Sequence, residues 1–448
     1  MNMIPRSRMD MGMWPYHPDL LATPVPRYTS YPTAAEFGAV SSIDHAEALG
    51  GTHGNISLYV HIPFCEKICF YCGCNTGKAG KRQRLESYLD ALRREIDLVS
   101  ELLPRDAVVR RIAFGGGSPN AISPAKFLHL TDQLMARFSI DEPDFSIELD
   151  PRTFSAEWAR AIGSVGIERA SLGVQTFAAH CQEAIGRVQP ESLIERSVDL
   201  LRGNGVTSLN FDLMYGLPEQ SKADLHDSLQ RATRLNPDRI ALFGYAHVPH
   251  LIPRQRVIGD NALPGAVDRF AMAGLGYDFL TTHGYKAVGF DHFAKPGDPF
   301  AQAFTAKRLR RNFQGFTDDQ SPTLIGLGSS AVSSFPGLLV QNEKNSGRYR
   351  MMASQGKLTT NVGVSRTKDD RRRGRMIEDL LCRGSANISS QLRQTLQDAL
   401  EPFVDRDLAS IEHDILSITA EGLPYSRTIA AIFDAYRRQS ARRFSSAV

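Results

Sequence analysis

An incomplete (β/α)6 TIM-like barrel of the α/β class, with an N-terminal arm and a mostly helical C-terminal domain, is the fold the sequence predicts. Three observations predict it. From residue 56 onward, near-continuous apolar runs alternate with amphipathic segments, which is the signature of parallel βαβ units. Polar and glycine-rich stretches fall where those apolar runs end. Past about residue 300 the alternation gives way to helical periodicity.

The elements follow in order. Residues 1–54 carry several prolines and no clear period, so they read as an arm that wraps the barrel. The barrel occupies 55–300, with strands expected at 56–63, 108–117, 145–151, 169–176, 209–218 and 240–249. Segments 85–103 and 225–235 are among the amphipathic helices between them. In such barrels the chemistry sits at the C-terminal ends of the strands. Residues 301–448 are expected to cover that end, with helices at 376–381, 388–400 and 424–436. The basic run Arg371-Arg-Arg-Gly-Arg375 follows Lys368-Asp-Asp370 and reads as a solvated helix start.

Composition narrows the function classes. A chain of 448 residues with 42% hydrophobic content can bury a large core. A formal charge of +3 is too slight to argue for nucleic acid or a membrane surface. No run of about 18 apolar residues suggests a membrane span. The start, Met1-Asn-Met-Ile-Pro-Arg6, lacks an apolar h-region, so the expectation is a cytoplasmic protein with reduced thiols.

Four of the six cysteines fall within ten residues, in His61-Ile-Pro-Phe-Cys65-Glu-Lys-Ile-Cys69-Phe-Tyr-Cys72-Gly-Cys74. A loop with three thiolates at C-x3-C-x2-C spacing can wrap one corner of an iron–sulfur cube. Three ligands leave the fourth iron open to bind and activate a small molecule, which points to an enzyme. A zinc site would want paired knuckles well separated in sequence. Here the distant cysteines, Cys181 and Cys382, stand alone and read as small buried hydrophobes.

The cysteine stretch resembles the cluster loop of radical S-adenosylmethionine (SAM) enzymes. With Cys74, it resembles more narrowly the oxygen-independent coproporphyrinogen III oxidases, or dehydrogenases, of haem biosynthesis. Arg27-Tyr-Thr-Ser-Tyr-Pro32, Asp291-His-Phe-Ala294 and Arg311-Asn-Phe-Gln-Gly315 resemble that family too, so the likeness runs from about residue 25 to residue 440. It implies a [4Fe-4S] cluster on Cys65, Cys69 and Cys72, with SAM chelating the open iron. It also implies SAM contacts from Tyr59, Gly115, Gly116, Glu148, Gln175, Arg187, Asp212 and the Ala246 backbone. Phe313 and Gln314 would hold a second SAM molecule, and Val332 would lie near the substrate.

Each of these residues has a plainer reading taken alone. A glycine triplet is common in βα turns. Glu148, Gln175, Arg187 and Asp212 could be caps or barrel-interior residues. Their recurrence at successive strand ends favours ligand binding. His61 and His247 read as structural loop histidines. Cys74, one residue past Cys72, has little freedom to reach the open iron, so a catalytic part in proton or hydrogen transfer is expected of it. Ser118 stands where the family commonly has threonine, Thr176 where aspartate is common, and Gly186 where an asparagine usually precedes the arginine.

The chemistry implied is anaerobic. One electron cleaves SAM to methionine and a 5′-deoxyadenosyl radical, which removes a hydrogen from the β-carbon of a substrate propionate. Loss of CO2 and a further electron leaves a vinyl group, and two such rounds turn coproporphyrinogen III into protoporphyrinogen IX. An electron donor such as a flavodoxin or ferredoxin and a monomeric state are the implied partners. Related haem chaperones lack the C-x-C ending and typically the Arg27–Pro32 segment. A methyl-transferring tetrapyrrole enzyme is disfavoured by Arg311–Gly315.

Overall fold

In the computed structural model, residues 13–80 and 82–437 are described. The first twelve residues of the expected arm, residue 81 of the expected barrel and the last eleven of the expected C-terminal domain lie outside the described residues. The first strand, β1 (Gly54–Ile62), places Ile56, Leu58, Val60 and Ile62 in the core without exposure. To one side of it follow β2 (Ala107–Gly116), β3 (Ser139–Leu149), β4 (Arg169–Gln175), β5 (Ser208–Tyr215) and β6 (Arg239–Gly244), each parallel to the one before. Amphipathic helices α1 (Arg82–Leu102), α2 (Pro124–Arg137), α3 (Ala156–Val165), α4 (Glu191–Arg202) and α5 (Lys222–Arg234) connect them. Their apolar faces, such as Leu89, Leu92 and Ile96 of α1, join the strands in one core.

After α6 (Ala266–Thr282), two short antiparallel strands, β7 (Lys286–Val288) and β8 (His292–Ala294), extend the edge beyond β6. The other edge departs from the expected domain plan. Residues 323–365, assigned above to a mostly helical region, supply β9 (Thr323–Leu327), β10 (Val332–Ser334), β11 (Leu338–Asn342) and β12 (Thr360–Ser365). β9 pairs parallel with β1, and the rest continue antiparallel. The sheet order is β12-β11-β10-β9-β1-β2-β3-β4-β5-β6-β8-β7, open at both ends. β9 is five buried residues interrupted by Gly326, a run too short for its period to separate a strand from a buried turn. Gly326 is required there, because a Cβ would sit 2.6 Å from the Val332 carbonyl oxygen.

Beyond β12 the chain is helical, with α7 (Lys368–Arg383) and α8 (Ser390–Val404), and adds a small three-stranded sheet within 385–418. The helix expected over 424–436 is a short one, Ser426–Ala430, flanked by 3-10 turns. The basic run does lie in the first turns of α7, whose start is a capping box: Asp370 N–H donates to Thr367 Oγ1 at 3.0 Å and Thr367 N–H to Asp370 Oδ2 at 2.9 Å. Arm residues Trp14, Leu21, Val25, Tyr28 and Tyr31 are buried in a second apolar cluster with Phe270 of α6 and Ile377, Leu380 and Leu381 of α7. Arg311 donates to the carbonyls of Arg27 and Tyr28 at 2.8 and 3.0 Å, with its guanidinium over Phe316 and Phe290. Three segments far apart in sequence thus meet on one wall.

Candidate active site

The cysteine loop leaves the end of β1 and is gripped by its neighbours' backbones. Gly117 N–H donates to the Ile62 carbonyl and Ser118 N–H to the Phe64 carbonyl, both at 2.8 Å. A Cβ on Gly117 would lie 2.5 Å from the Phe64 carbonyl oxygen, so only glycine permits that approach. Phe70 N–H reaches the Ile185 carbonyl at 2.9 Å, and the Phe70 ring fills the space a side chain at Gly186 would need. The departure at Gly186 thus admits an aromatic ring. Thr176, the other departure, is buried and bonded to Ser228 Oγ at 3.2 Å. Farther on, Gln255 ties the loop to the end of β6 by donating to the Tyr71 carbonyl at 2.8 Å and the Ala246 carbonyl at 3.0 Å.

Cys65, Cys69, Cys72 and Cys74 line a cavity of about 580 Å³, together with Gly116, Glu148, Gln175, Arg187, Asp212 and Ala246. An adjoining cavity of about 650 Å³ shares Cys74, Gly116 and Glu148 and is lined by Tyr59, Phe313, Gln314 and Val332. Of the residues expected at the site, Gly115 alone stands behind the wall. A Cβ there would come within 2.7 Å of Glu148 Oε2, so its role is to make room for that carboxylate.

The thiols suit a cluster better than a single ion. A tetrahedral zinc gathers its ligands about 2.3 Å from one centre, so their atoms crowd together. Among the described residues the group with three ligating atoms within 4.8 Å of one another is His180, Cys181 and Asp224, of which Cys181 is buried. Cys65, Cys69 and Cys72 form no such group, and soft thiolates at wider separation are the donor set of an iron–sulfur cube. Cys69 Sγ accepts from Arg187 Nη1 and Arg152 Nη2, each at 3.3 Å, while Asp150 bridges the two arginines. Cys72 Sγ accepts from the Cys74 N–H at 3.4 Å. Cys74 is exposed to the cavity rather than packed away.

Glu148 and Asp212 line the same cavity, and each feels burial. Burial, then the charge of Asp212, pushes Glu148 up to about 7, while the Gly116 N–H at 3.3 Å favours its anion. Its side chain is exposed to the cavity, which is itself half open, so the upward push reflects the surrounding protein and Asp212 rather than complete exclusion of water. Asp212 is also raised by burial, although Ser171 Oγ donates to it at 2.9 Å and Asn210 Nδ2 at 2.8 Å. Gln175 adopts φ +68°, a left-handed conformation that turns the chain out of β4 and into the cavity wall. His61 is buried, pushed down to about 4 by that burial and hence neutral, and shares a hydrogen bond of 3.1 Å with Tyr59 Oη. His247 lies between Tyr245 Oη and Asp260 Oδ1, each at 2.9 Å.

Sequence reasoning missed Asp150, Arg152, Tyr71 and Gln255 as parts of this wall. The signal for two of them was present, since Asp150-Pro-Arg152 directly follows the strand that carries Glu148.

Comparison with known proteins agrees with this geometry. A family model described as the radical SAM superfamily matches residues 59–232. The chain is 38% identical over 432 residues to an oxygen-independent coproporphyrinogen III oxidase of Cereibacter sphaeroides, covering 93% of this chain and 95% of the relative. Against the protein of the same name from Bradyrhizobium diazoefficiens it is 38% identical, covering 95% and 97%. The solved structure of the coproporphyrinogen III oxidase of Escherichia coli, described as a radical SAM enzyme, superposes with a TM-score of 0.86 at 33% identity. That match covers 94% of this chain and 99% of the other.

Proposed function

Because the chain belongs to the oxygen-independent coproporphyrinogen III oxidases of the radical SAM superfamily, we propose that it decarboxylates two propionates of coproporphyrinogen III to vinyl groups in anaerobic haem biosynthesis. The observation that carries this reading is the meeting of three cysteine thiols with Glu148, Gln175, Arg187, Asp212 and Ala246 around one cavity. When bound, a [4Fe-4S] cluster and SAM supply the 5′-deoxyadenosyl radical that starts the reaction.

The chain's own residues hold, orient and seclude. Cys65, Cys69 and Cys72 are the thiolates for the cluster, and the guanidinium N–H groups on Cys69 temper the charge of its sulfur. Glu148 and Asp212 offer carboxylates to the amino and ribose donors of SAM, which repay the burial of their charge. Gly116 lets SAM approach the backbone, and Tyr59 completes that side. Gln175, Arg187 and the Ala246 backbone hold the nucleoside end, while Phe313 and Gln314 seat a second SAM in the adjoining cavity near Val332. Cys74 faces both cavities, the position for a hydrogen or proton donor between them. The protein's contribution is thus seclusion and alignment, since the cofactors carry the hard step.

No helix among the described residues is long and apolar enough to cross a membrane, which fits a cytoplasmic site of action. The enzyme acts as a monomer and takes its electron from a flavodoxin or ferredoxin. The test is an anaerobic assay of cluster-loaded protein with reductant, SAM and coproporphyrinogen III, read by mass spectrometry. Two successive losses of CO2 plus two hydrogens, with 5′-deoxyadenosine formed, are expected. Deoxyadenosine without change in the porphyrinogen would move the substrate elsewhere.

A further inference from the structure

Outside the cluster cavity, His180, Cys181 and Asp224 converge where the chain leaving β4 meets α5. His180 and Cys181 sit on the short helix Ala179–Ala184, and Asp224 stands in the first turn of α5. An imidazole nitrogen, the thiol sulfur and a carboxylate oxygen all lie within 4.8 Å of one another. His180 Nε2 is 3.5 Å from Asp224 Oδ2. Two such ligands on a tetrahedral zinc stand about 3.4 Å apart, so this separation already suits an ion between them.

The three groups are held before any ion arrives. Thr176 Oγ1 and Phe177 N–H bond to Ser228 Oγ at 3.2 and 3.1 Å, which fixes the entry to the short helix against α5. Gln182 Nε2 donates to the carbonyls of Thr176 and Gln189 at 2.8 and 3.1 Å and closes that stretch on itself. Asp224 is set by the capping box of α5, with Ser221 N–H and Oγ donating to its Oδ2 at 2.8 and 2.6 Å. A carboxylate has about four acceptor sites, so the cap leaves about half of them for another partner. The side chains of His180 and Asp224 are 47% and 25% exposed, which gives an ion a way in to the buried Cys181. The charges that act on that sulfur are those of Asp224 and Glu219, both negative. An ion pair alone would account for His180 and Asp224, and packing alone for Cys181. Neither brings a nitrogen, a sulfur and an oxygen together.

That donor set belongs to a borderline-soft divalent ion, and zinc takes all three types in tetrahedral geometry. Calcium and magnesium want oxygen alone, so the sulfur rules against them. We propose that His180, Cys181 and Asp224 bind one zinc ion, with a water as the fourth ligand. On binding, the Cys181 S–H bond breaks, its proton passes to water, and a sulfur–zinc bond forms. The ion ties the short helix to α5. Arg187 follows three residues after that helix and donates to Cys69 Sγ at 3.3 Å, so the tie braces a partner of the cluster loop. Zinc binding here does not depend on the decarboxylase reading.

The test is zinc K-edge X-ray absorption on cluster-loaded enzyme equilibrated with one equivalent of zinc chloride, beside His180→Gln, Cys181→Ala and Asp224→Asn. Wild type should show one sulfur at about 2.3 Å and three lighter neighbours at about 2.0–2.2 Å. Competition with a chromophoric chelator should give zinc affinity about tenfold or more weaker in each variant, since losing a ligand costs at least what losing an outer-shell partner does. Three or four sulfurs would overturn the proposal, placing the zinc in the cysteine loop instead. Nitrogen and oxygen neighbours alone, with affinity unchanged in the variants, would also overturn it, leaving an adventitious ion only. Added zinc should slow amide hydrogen exchange over 176–189 in wild type and not in Cys181→Ala. Equal exchange with and without zinc would overturn the brace. If Cys181→Ala fails to fold, the exposed His180→Gln decides, with Asp224→Asn, whose amide oxygen can still cap α5.

Discussion

Glu148 is a carboxylate placed where ionising is costly. Its native pKa, pushed up to about 7 by burial and by Asp212, exceeds the 4.5 of an ordinary glutamate. Between those values the unfolded chain gives up its proton while the native protein keeps it, so stability falls as pH rises through that window. Glu148→Gln should raise the melting temperature of the cluster-free protein at about pH 8 and leave it nearly unchanged at about pH 5, by scanning fluorimetry. Adding SAM should reverse the order at the higher pH, because only the carboxylate pairs with its amino group. Arg152 makes a second case at this scale. Its Nη2 donates to Cys69 Sγ and brings positive charge beside the cluster loop. Arg152→Gln should shift the cluster's midpoint potential to more negative values in a redox titration followed by electron paramagnetic resonance, since the reduced cluster loses a stabilising donor. An unchanged potential would confine Arg152 to holding Asp150. The three cluster cysteines were legible in sequence because one short loop must present them together. The Asp150–Arg152–Arg187 network was not, because an i,i+2 charge pair looks the same on a surface as beneath a cluster.

The element scale shows which local signals carry. α7 begins where a threonine is followed three residues later by an acid, and its basic run lies beyond the cap. Thr367→Ala removes the acceptor for Asp370 N–H and should cost about 1 kcal/mol, seen as a lower unfolding temperature with unchanged KM values. The barrel strands were legible for a related reason. β1 and the end of β2 are buried on both faces and read as apolar runs, while β4 and β5 alternate buried apolar residues with half-buried ones such as Ser171, Asn210 and Asp212. β3 starts earlier than its apolar run because Ser139–Asp144 pair as strand while mostly exposed. β9 failed for the opposite reason: it is buried throughout, but short and broken by Gly326.

At the scale of the molecule, a single buried acid joins the barrel to the strands beyond residue 323. Glu95 of α1 accepts from Gly328 N–H at 2.6 Å, Tyr349 Oη and Thr359 Oγ1 at 2.7 Å each, and Asn342 Nδ2 at 2.8 Å. Removing it strands four buried donors, and Glu95→Ala should cost roughly 3–5 kcal/mol. Hydrogen exchange should then rise first across β9 to β12, the stretch of chain that contains those donors. Exchange rising equally across β2 to β6 would show instead that the barrel and its added edge unfold as one unit. The arm is tied in by the same long-range logic, with Tyr28 Oη donating to Asp434 at 3.0 Å and Arg311 to the arm's carbonyls.

By itself the sequence determined the barrel's alternation, the thiolate loop and the series of polar residues at strand ends. All three are local, since a strand's buried positions are apolar, its half-buried ones are often polar, and cluster ligation demands close spacing. Its likeness to one family extended that reading to the residues around the cavity. Only the tertiary structure decided that β9 lies beside β1 and brings Val332 to the second cavity. Only it gathered Arg27, Arg269 and Arg427, which stand up to 400 positions apart, around one small space. Which side chains share a cavity is a matter of distances between them, and the chain's order does not encode those distances until it is folded.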